Sequence, residues 1–214
     1  MIAAKRMRKA VITIHPDDTL AHAQSLMRTH RIRHLPVLDG ARLVGILSTH
    51  DLHGAVPLPA GPEEAQAYAE KLRALPASAV MSREVVSVAL FTPIEHCAKL
   101  MTEYKIGCLP VLEGGRLEGI VTTTDVMGMM AEMMGVSEIG SRIEVEVPAA
   151  PGAMAEVARI IEGQGVGIAS IAGVPIPERG RTILVMRVRT INPRPVVRAL
   201  EEAGYRVPAP EELQ

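Results

Sequence analysis

Apolar residues crowd into two short β-branched runs, VITI at residues 11–14 and VVSV at 85–88, and both are predicted to be strands. The apolar spacing then lengthens. Leu20, Ala23 and Met27 in one stretch, and Ile94, Cys97, Met101 and Tyr104 in another, recur three or four positions apart, which predicts a helix with one apolar face in each. Thr92 is placed to cap the second of these helices with Pro93 at its first position, and Asp18 and Thr19 hold the same places in the first. LPVL follows each helix, then a turn (Asp39-Gly40 or Glu113-Gly114-Gly115), then RLVGIL or RLEGIV, a pattern of strand, tight turn, strand. A further helix opens after Ser48 and after Thr122.

These two sets of elements are copies. Shifting the chain by 74 residues aligns Met7–Leu52 with Met81–Val126 without a gap, and 17 of the 46 aligned pairs are identical. Each copy reads as a β-α-β-β-α unit, too small to bury its own apolar face, so the other copy is its expected partner. The boundaries drawn from the pattern are residues 1–54 for the first repeat and 79–136 for the second. Between them, residues 55–78 form a Pro/Gly-rich linker with a surface helix in EEAQAYAEKLRAL.

From residue 137 to 214 the pattern changes. Ile143, Val145 and Val147 alternate with charged residues as in a half-buried strand, and Met154, Val157, Ala158 and Ile161 form a helical stripe ending near Gly163–Gly165. GIASIAGV and RTILVMRVR are two more strands. A helix starts at Asn192-Pro193 and stops at Gly204, before a last strand, YRV. The order β-α-β-β-α-β implies a four-stranded antiparallel sheet with both helices on one face, and an α+β class for the whole chain.

Composition removes several classes of function. Only 2% of residues are aromatic, which disfavours base stacking, and the formal net charge of −1 comes with 18 Arg dispersed along the chain, so neither nucleic acid nor an anionic membrane is an expected partner. The N-terminus lacks the apolar block of a secretory signal and no segment approaches ~20 apolar residues, so a cytoplasmic protein is expected. Cys97 and Cys108 have no metal-ligand spacing and read as buried thiols. His50 and His53 flank Asp51, and His22 and His96 occupy equivalent helical positions. No metal site follows from them, and no nucleophile elbow, P-loop or His-carboxylate set points to an enzyme. Met127, Met130 and Met134 share a helical face suited to packing or self-association.

One motif carries candidate chemistry twice. Ser48 with Asp51, and Thr122 with Asp125, place a hydroxyl and a carboxylate one turn apart at a strand-to-helix junction, where they could hydrogen-bond the vicinal diol of a ribose. The other reading is that the hydroxyl caps the helix and the carboxylate complements its dipole. Duplication in register favours the ribose.

The doubled pattern, with Gly45-Ile46-Leu47-Ser48 to Asp51 and Gly119-Ile120-Val121-Thr122 to Asp125, resembles the cystathionine-β-synthase (CBS) domain pair over residues 7–130. That resemblance implies adenosine compounds (AMP, ADP, ATP or S-adenosylmethionine) bound in clefts between the repeats. One cleft would join Ser48 and Asp51 to Ile106, Gly107 and Cys108; the other would join Thr122 and Asp125 to Ile32, Arg33 and His34. Arg33, with His34 and Arg31, gives the Asp125 cleft charge for a phosphate, unless the arginines are simply solvated. Asp18 would oppose a phosphate placed near it. The resemblance also implies dimers formed through helical faces.

The third unit resembles an ACT domain in its Pro151-Gly152 helix start and its Gly165-Val166-Gly167-Ile168 strand start. A small effector such as an amino acid would then lie near Gly152, Gly165 and Ile168 at a dimer interface. Ala149-Ala150 and Gly167 stand where polar residues are frequent, which leaves pure dimerisation equally open. The combination resembles the acetoin-utilisation (AcuB) family. It implies a non-catalytic homodimeric sensor that binds an adenine nucleotide as a regulatory ligand, needs no cofactor, and acts on another protein in trans. The competing expectation is a scaffold that only oligomerises.

Overall fold

Leu20, Ala23 and Met27 are buried along one side of α1 (Leu20–His30), as their spacing requires. The helix starts one residue later than expected. Thr19 is its N-cap, accepting from His22 N, while Asp18 Oδ2 accepts from His15 N and closes the turn before it. Arg31 ends the helix in the left-handed region at φ 52°, and Ile32 N donates back to the Met27 carbonyl. β1 (His34–Asp39) and β2 (Arg42–Ser48) follow as an antiparallel hairpin that pairs His34 with Ser48, and α2 (Thr49–Ala55) leaves its end. α3 (Pro62–Ala74) is the helix expected within the linker; its Leu72 enters the core formed by Leu35, Val37, Leu47 and Leu52, and its Tyr68 hydroxyl accepts from Gln24 Nε2. The structure is a computed structural model and describes residues 1–208.

The second repeat has the same helix, hairpin and helix, preceded by a two-residue strand that the first repeat lacks: β3 (Val88–Ala89), α4 (Ile94–Glu103), β4 (Cys108–Glu113), β5 (Arg116–Thr122) and α5 (Thr123–Met133). β3 lies parallel to β4, and β4 pairs with β5 so that Cys108 faces Thr122. Lys105 repeats the left-handed turn of Arg31 at φ 54°. Pro93 is the cap residue of α4, and Thr92 Oγ1 instead accepts from Ala89 N, so position 92, like position 18, serves the preceding turn.

The predicted leading strands largely do not form, because the chain ahead of each repeat belongs to the other. Arg8 exchanges both backbone hydrogen bonds with Ile120 of β5, and Ser82 does the same with Ile46 of β2. Ala3 and Ala4 donate to Thr92 and Leu90, while Ala77 and Ser78 donate to Asp18 and Pro16. Residues 9–13 must cross from one repeat to the other, so VITI reaches its own sheet only at Ile14, bridged to Val37. Of VVSV, only Val88 lies in a strand.

A second compact unit begins after Val126. Past α5 it contains β6 (Ser141–Pro148), α6 (Ala153–Gly163), β7 (Ile168–Ile176), β8 (Arg181–Val188) and α7 (Arg194–Glu202). The sheet is antiparallel in the order β6-β8-β7. Ile143, Val145, Val147, Leu184, Met186 and Val188 point to the face where Val157 and Ile161 of α6 meet Val196 and Leu200 of α7, so both helices cover that face. The expected fourth strand, YRV, is reduced to one bridge between Arg206 and Glu146 on the free edge of β6. Pro208, two residues on, has no N–H with which to extend the ladder.

Candidate functional site

Both hydroxyl-carboxylate pairs are built identically. Ser48 N and Oγ donate to Asp51 Oδ2 at 2.8 and 2.6 Å, and Asp51 N donates back to Ser48 Oγ at 3.1 Å. In the second repeat Thr122 N and Oγ1 donate to Asp125 Oδ2 at 2.9 and 2.5 Å, and Asp125 N donates to Thr122 Oγ1 at 3.3 Å. These are capping boxes that satisfy free N–H groups at the starts of α2 and α5. They also hold one carboxylate oxygen inward and leave Oδ1 for another partner. At Asp125 that partner is Arg8, whose Nε lies 3.4 Å away.

The surroundings of the two pairs differ. A cavity of about 230 Å³ opens beside Thr122 and Thr124, and its far wall is the continuous stretch from His30 to His34. Ile32, Arg33 and His34 are thus brought to Thr122. Arg8, Ala10, Val11 and Ile12 complete the wall. These leading-segment residues carry no sequence signal for a site, since only the exchange between repeats brings them there. Three arginines, Arg8, Arg31 and Arg33, line this one concavity, and the first of them is paired with the Asp125 carboxylate. Asp18 is not among the lining residues.

Asp125 is not itself a lining residue and meets the cavity through Arg8; Ser48, Asp51, Ile106, Gly107 and Cys108 do not line it either. At Gly107 the His34 imidazole closes in: a Cβ on the glycine would lie 2.8 Å from both Cε1 and Nε2 of the ring. Burial, then the charge of Arg33, lowers the His34 pKa below its ordinary value, while the Asp51 carboxylate pulls the other way. Cys108 and Cys97 are free and buried as expected, and burial pushes the Cys108 thiol up to about 12, which makes it a poor nucleophile near neutral pH.

Among the described residues no group of three His, Cys, Asp or Glu side chains could hold a metal ion, and no helix is long and apolar enough to cross a membrane. Met127, Met130 and Met133 of α5 are exposed, whereas Met134 is half-buried. In the second unit Gly152 caps α6 at φ 90°, Gly165 follows that helix at φ 70°, and Ile168 begins β7.

Comparison with known proteins agrees with the repeat. The CBS domain family matches residues 3–57 and 77–132. A CBS domain-containing protein of Dictyostelium discoideum is 35% identical over 136 residues, covering 63% of this chain and 94% of that protein. The inosine-5'-monophosphate dehydrogenases that also match are larger, and the chain covers 24–27% of each. The solved CBS domain pair of protein MJ0100, in complex with 5'-methylthioadenosine and S-adenosyl-L-methionine, aligns with a TM-score of 0.52 at 26% identity, over 62% of this chain and 97% of that one. A Vibrio cholerae protein described as an acetoin utilization protein (AcuB) aligns with a TM-score of 0.52 at 30% identity, over 64% and 95% of the two chains. A doubled hairpin-and-helix unit, exchanged leading segments and matches across both copies leave one conclusion: the chain belongs to the CBS domain family, as a tandem pair.

Proposed function

We propose that this protein is a regulatory nucleotide sensor without catalytic activity, binding an adenine nucleotide in the cavity beside Thr122 and Asp125. The observation that carries the reading is the convergence of Arg8, Arg31 and Arg33 on one concavity with Thr122 at its edge. Guanidinium groups match phosphate oxygens in charge and fork geometry. The free oxygen of Asp125 is the natural acceptor for a ribose hydroxyl once Arg8, well exposed, turns from it to a phosphate. The MJ0100 complex supports adenosine recognition by this kind of domain pair. The cationic lining here favours AMP, ADP or ATP over S-adenosylmethionine, whose sulfonium adds positive charge.

The remaining assignments belong to the same proposal. The second unit is an ACT domain in which Gly152, Gly165 and Ile168 frame an effector site or a dimer contact, and the homodimer forms through it and through the CBS helices. The two free thiols of each chain, Cys97 and Cys108 of the CBS pair, suit the reducing cytoplasm, where binding at that pair would alter a partner protein in trans. One observation favours the scaffold reading instead: each Ser/Thr–Asp pair already completes a helix cap and needs no ligand.

Calorimetric titration of AMP, ADP, ATP and S-adenosylmethionine decides between them. The sensor requires saturable binding, tighter for the nucleotides than for S-adenosylmethionine, and at least tenfold weaker in Asp125→Ala. A scaffold shows no saturable heat with any of the four.

A further inference from the structure

The internal repeat allows each position of one cleft to be compared with its counterpart 74 residues away in the other. Arg33 corresponds to Gly107, and His34 to Cys108. The backbone carrying them is the same in both copies: the Arg33 carbonyl accepts from Thr49 N and the Gly107 carbonyl from Thr123 N, each at 3.0 Å. His34 lies across from Ser48 in the β1-β2 register, and Cys108 across from Thr122 in the β4-β5 register. At Thr122, therefore, a small buried side chain stands beside a large one, Cys108 with Arg33. At Ser48 the order is inverted: the large side chain is His34 and its neighbour is Gly107.

The inversion has a steric result. The imidazole occupies the space into which a side chain at position 107 would project, with its Cε1 and Nε2 atoms 2.8 Å from where a Cβ would be. It also lies close enough to Asp51 for that carboxylate to act on its titration. Two of the three arginines of the cationic wall lose their charge in the other cleft, with Ser82 at the position of Arg8 and Gly107 at that of Arg33; Lys105 keeps the charge of Arg31, and Glu84 stands at the position of Ala10.

We infer that the His34 side chain, seated over Gly107, occupies the Asp51 cleft and restricts each chain to one nucleotide, bound at Asp125. The inference rests on the nucleotide-binding reading above and specifies its stoichiometry. Residues 34 and 107 act together as the determinant: a small residue at 34 vacates the cleft, and an arginine at 107 supplies the missing phosphate contact.

The test is a calorimetric titration of ADP into four proteins: wild type, His34→Ala, His34→Cys/Gly107→Arg, and the last with Asp51→Ala added. Wild type is expected to bind one equivalent per chain. His34→Ala vacates the cleft, and the double variant, which copies the pair found at the open site, is expected to bind two equivalents and to return to one when Asp51 is removed. Because His34 also lines the cavity beside Thr122, the readout is the gain of a site that Asp51→Ala removes: two equivalents in wild type, or binding in the double variant that Asp51→Ala leaves unchanged, overturns the inference. A nuclear magnetic resonance titration of the His34 ring without ligand separates this failure from failure of the sensor reading. With the ring beside Asp51, Asp51→Asn removes the charge that raises its pKa, and the midpoint moves down. An unchanged midpoint refutes the placement of His34, whereas a shifted midpoint with no ADP binding in any variant refutes the sensor and leaves the ring in the cleft.

Discussion

Gly45 and Gly119 are equivalent residues that do the same steric work. A methyl group at Gly119 would stand 2.5 Å from Met7 Sδ and 3.0 Å from the Arg8 carbonyl, and one at Gly45 would meet Met81 and Ser82 in the same way. The glycines thus let each leading segment lie flat on the other repeat. Gly119→Ala is expected to destabilise the fold by about 1–3 kcal/mol, the usual range for overpacking, measured by urea unfolding. It should also weaken ADP binding, since the displaced segment carries Arg8. Equal stability of the variant and wild type would show that the segment is held elsewhere. At this scale the sequence was only partly legible. Identical glycines at a fixed offset marked positions of importance, but nothing in the linear pattern said that a methionine from the opposite repeat presses on each. Arg31 and Lys105 were still less legible, because a left-handed turn at a non-glycine residue has no strong composition signal.

The strand-to-helix junctions combine two roles that one substitution cannot separate but a pair can. Thr122 and Ser48 make the same capping box at the starts of α5 and α2, so Thr122→Ala and Ser48→Ala should each cost about 1 kcal/mol of stability, the typical cost of losing such a cap. Their effects on ligand should differ. Thr122→Ala is expected to weaken ADP binding severalfold and Thr122→Ser to restore it, whereas Ser48→Ala leaves affinity unchanged, as unfolding curves and titrations of the same samples would show. Equal loss of affinity in both alanine variants would contradict single-site binding at Asp125. The helices and hairpins were legible because their spacing and turn residues are local. The leading strands and the last strand were misjudged for a shared reason: β-branched runs show a preference for extended backbone, but pairing partners decide whether a ladder forms. Residues 11–13 are occupied in crossing between repeats, and Arg206 is followed too closely by Pro208.

At the level of the CBS pair, the exchange of leading segments makes the two repeats one cooperative body. A chain starting at Lys9 would lose buried Ala3, the backbone bonds of Ala3 and Ala4, and both bonds between Arg8 and Ile120. At about 1 kcal/mol net per hydrogen bond, a destabilisation of several kcal/mol is expected, seen as a lower thermal midpoint, together with loss of ADP binding. A midpoint within a degree of wild type would mean that the exchange contributes little.

The sequence alone determined the duplication, the helix, hairpin and helix of each copy, the α+β class and the two hydroxyl-carboxylate pairs, because each depends on residues within a few positions of one another or on an offset that can be counted. Tertiary structure alone decided that Arg8 joins Arg31 and Arg33 and that the ring of His34 lies over Gly107, which adds a difference of space to the difference of charge that Arg33 and Gly107 already marked in the sequence. Those outcomes depend on which segments meet across the repeat interface, where side-chain volume and charge are set by residues far apart in the chain.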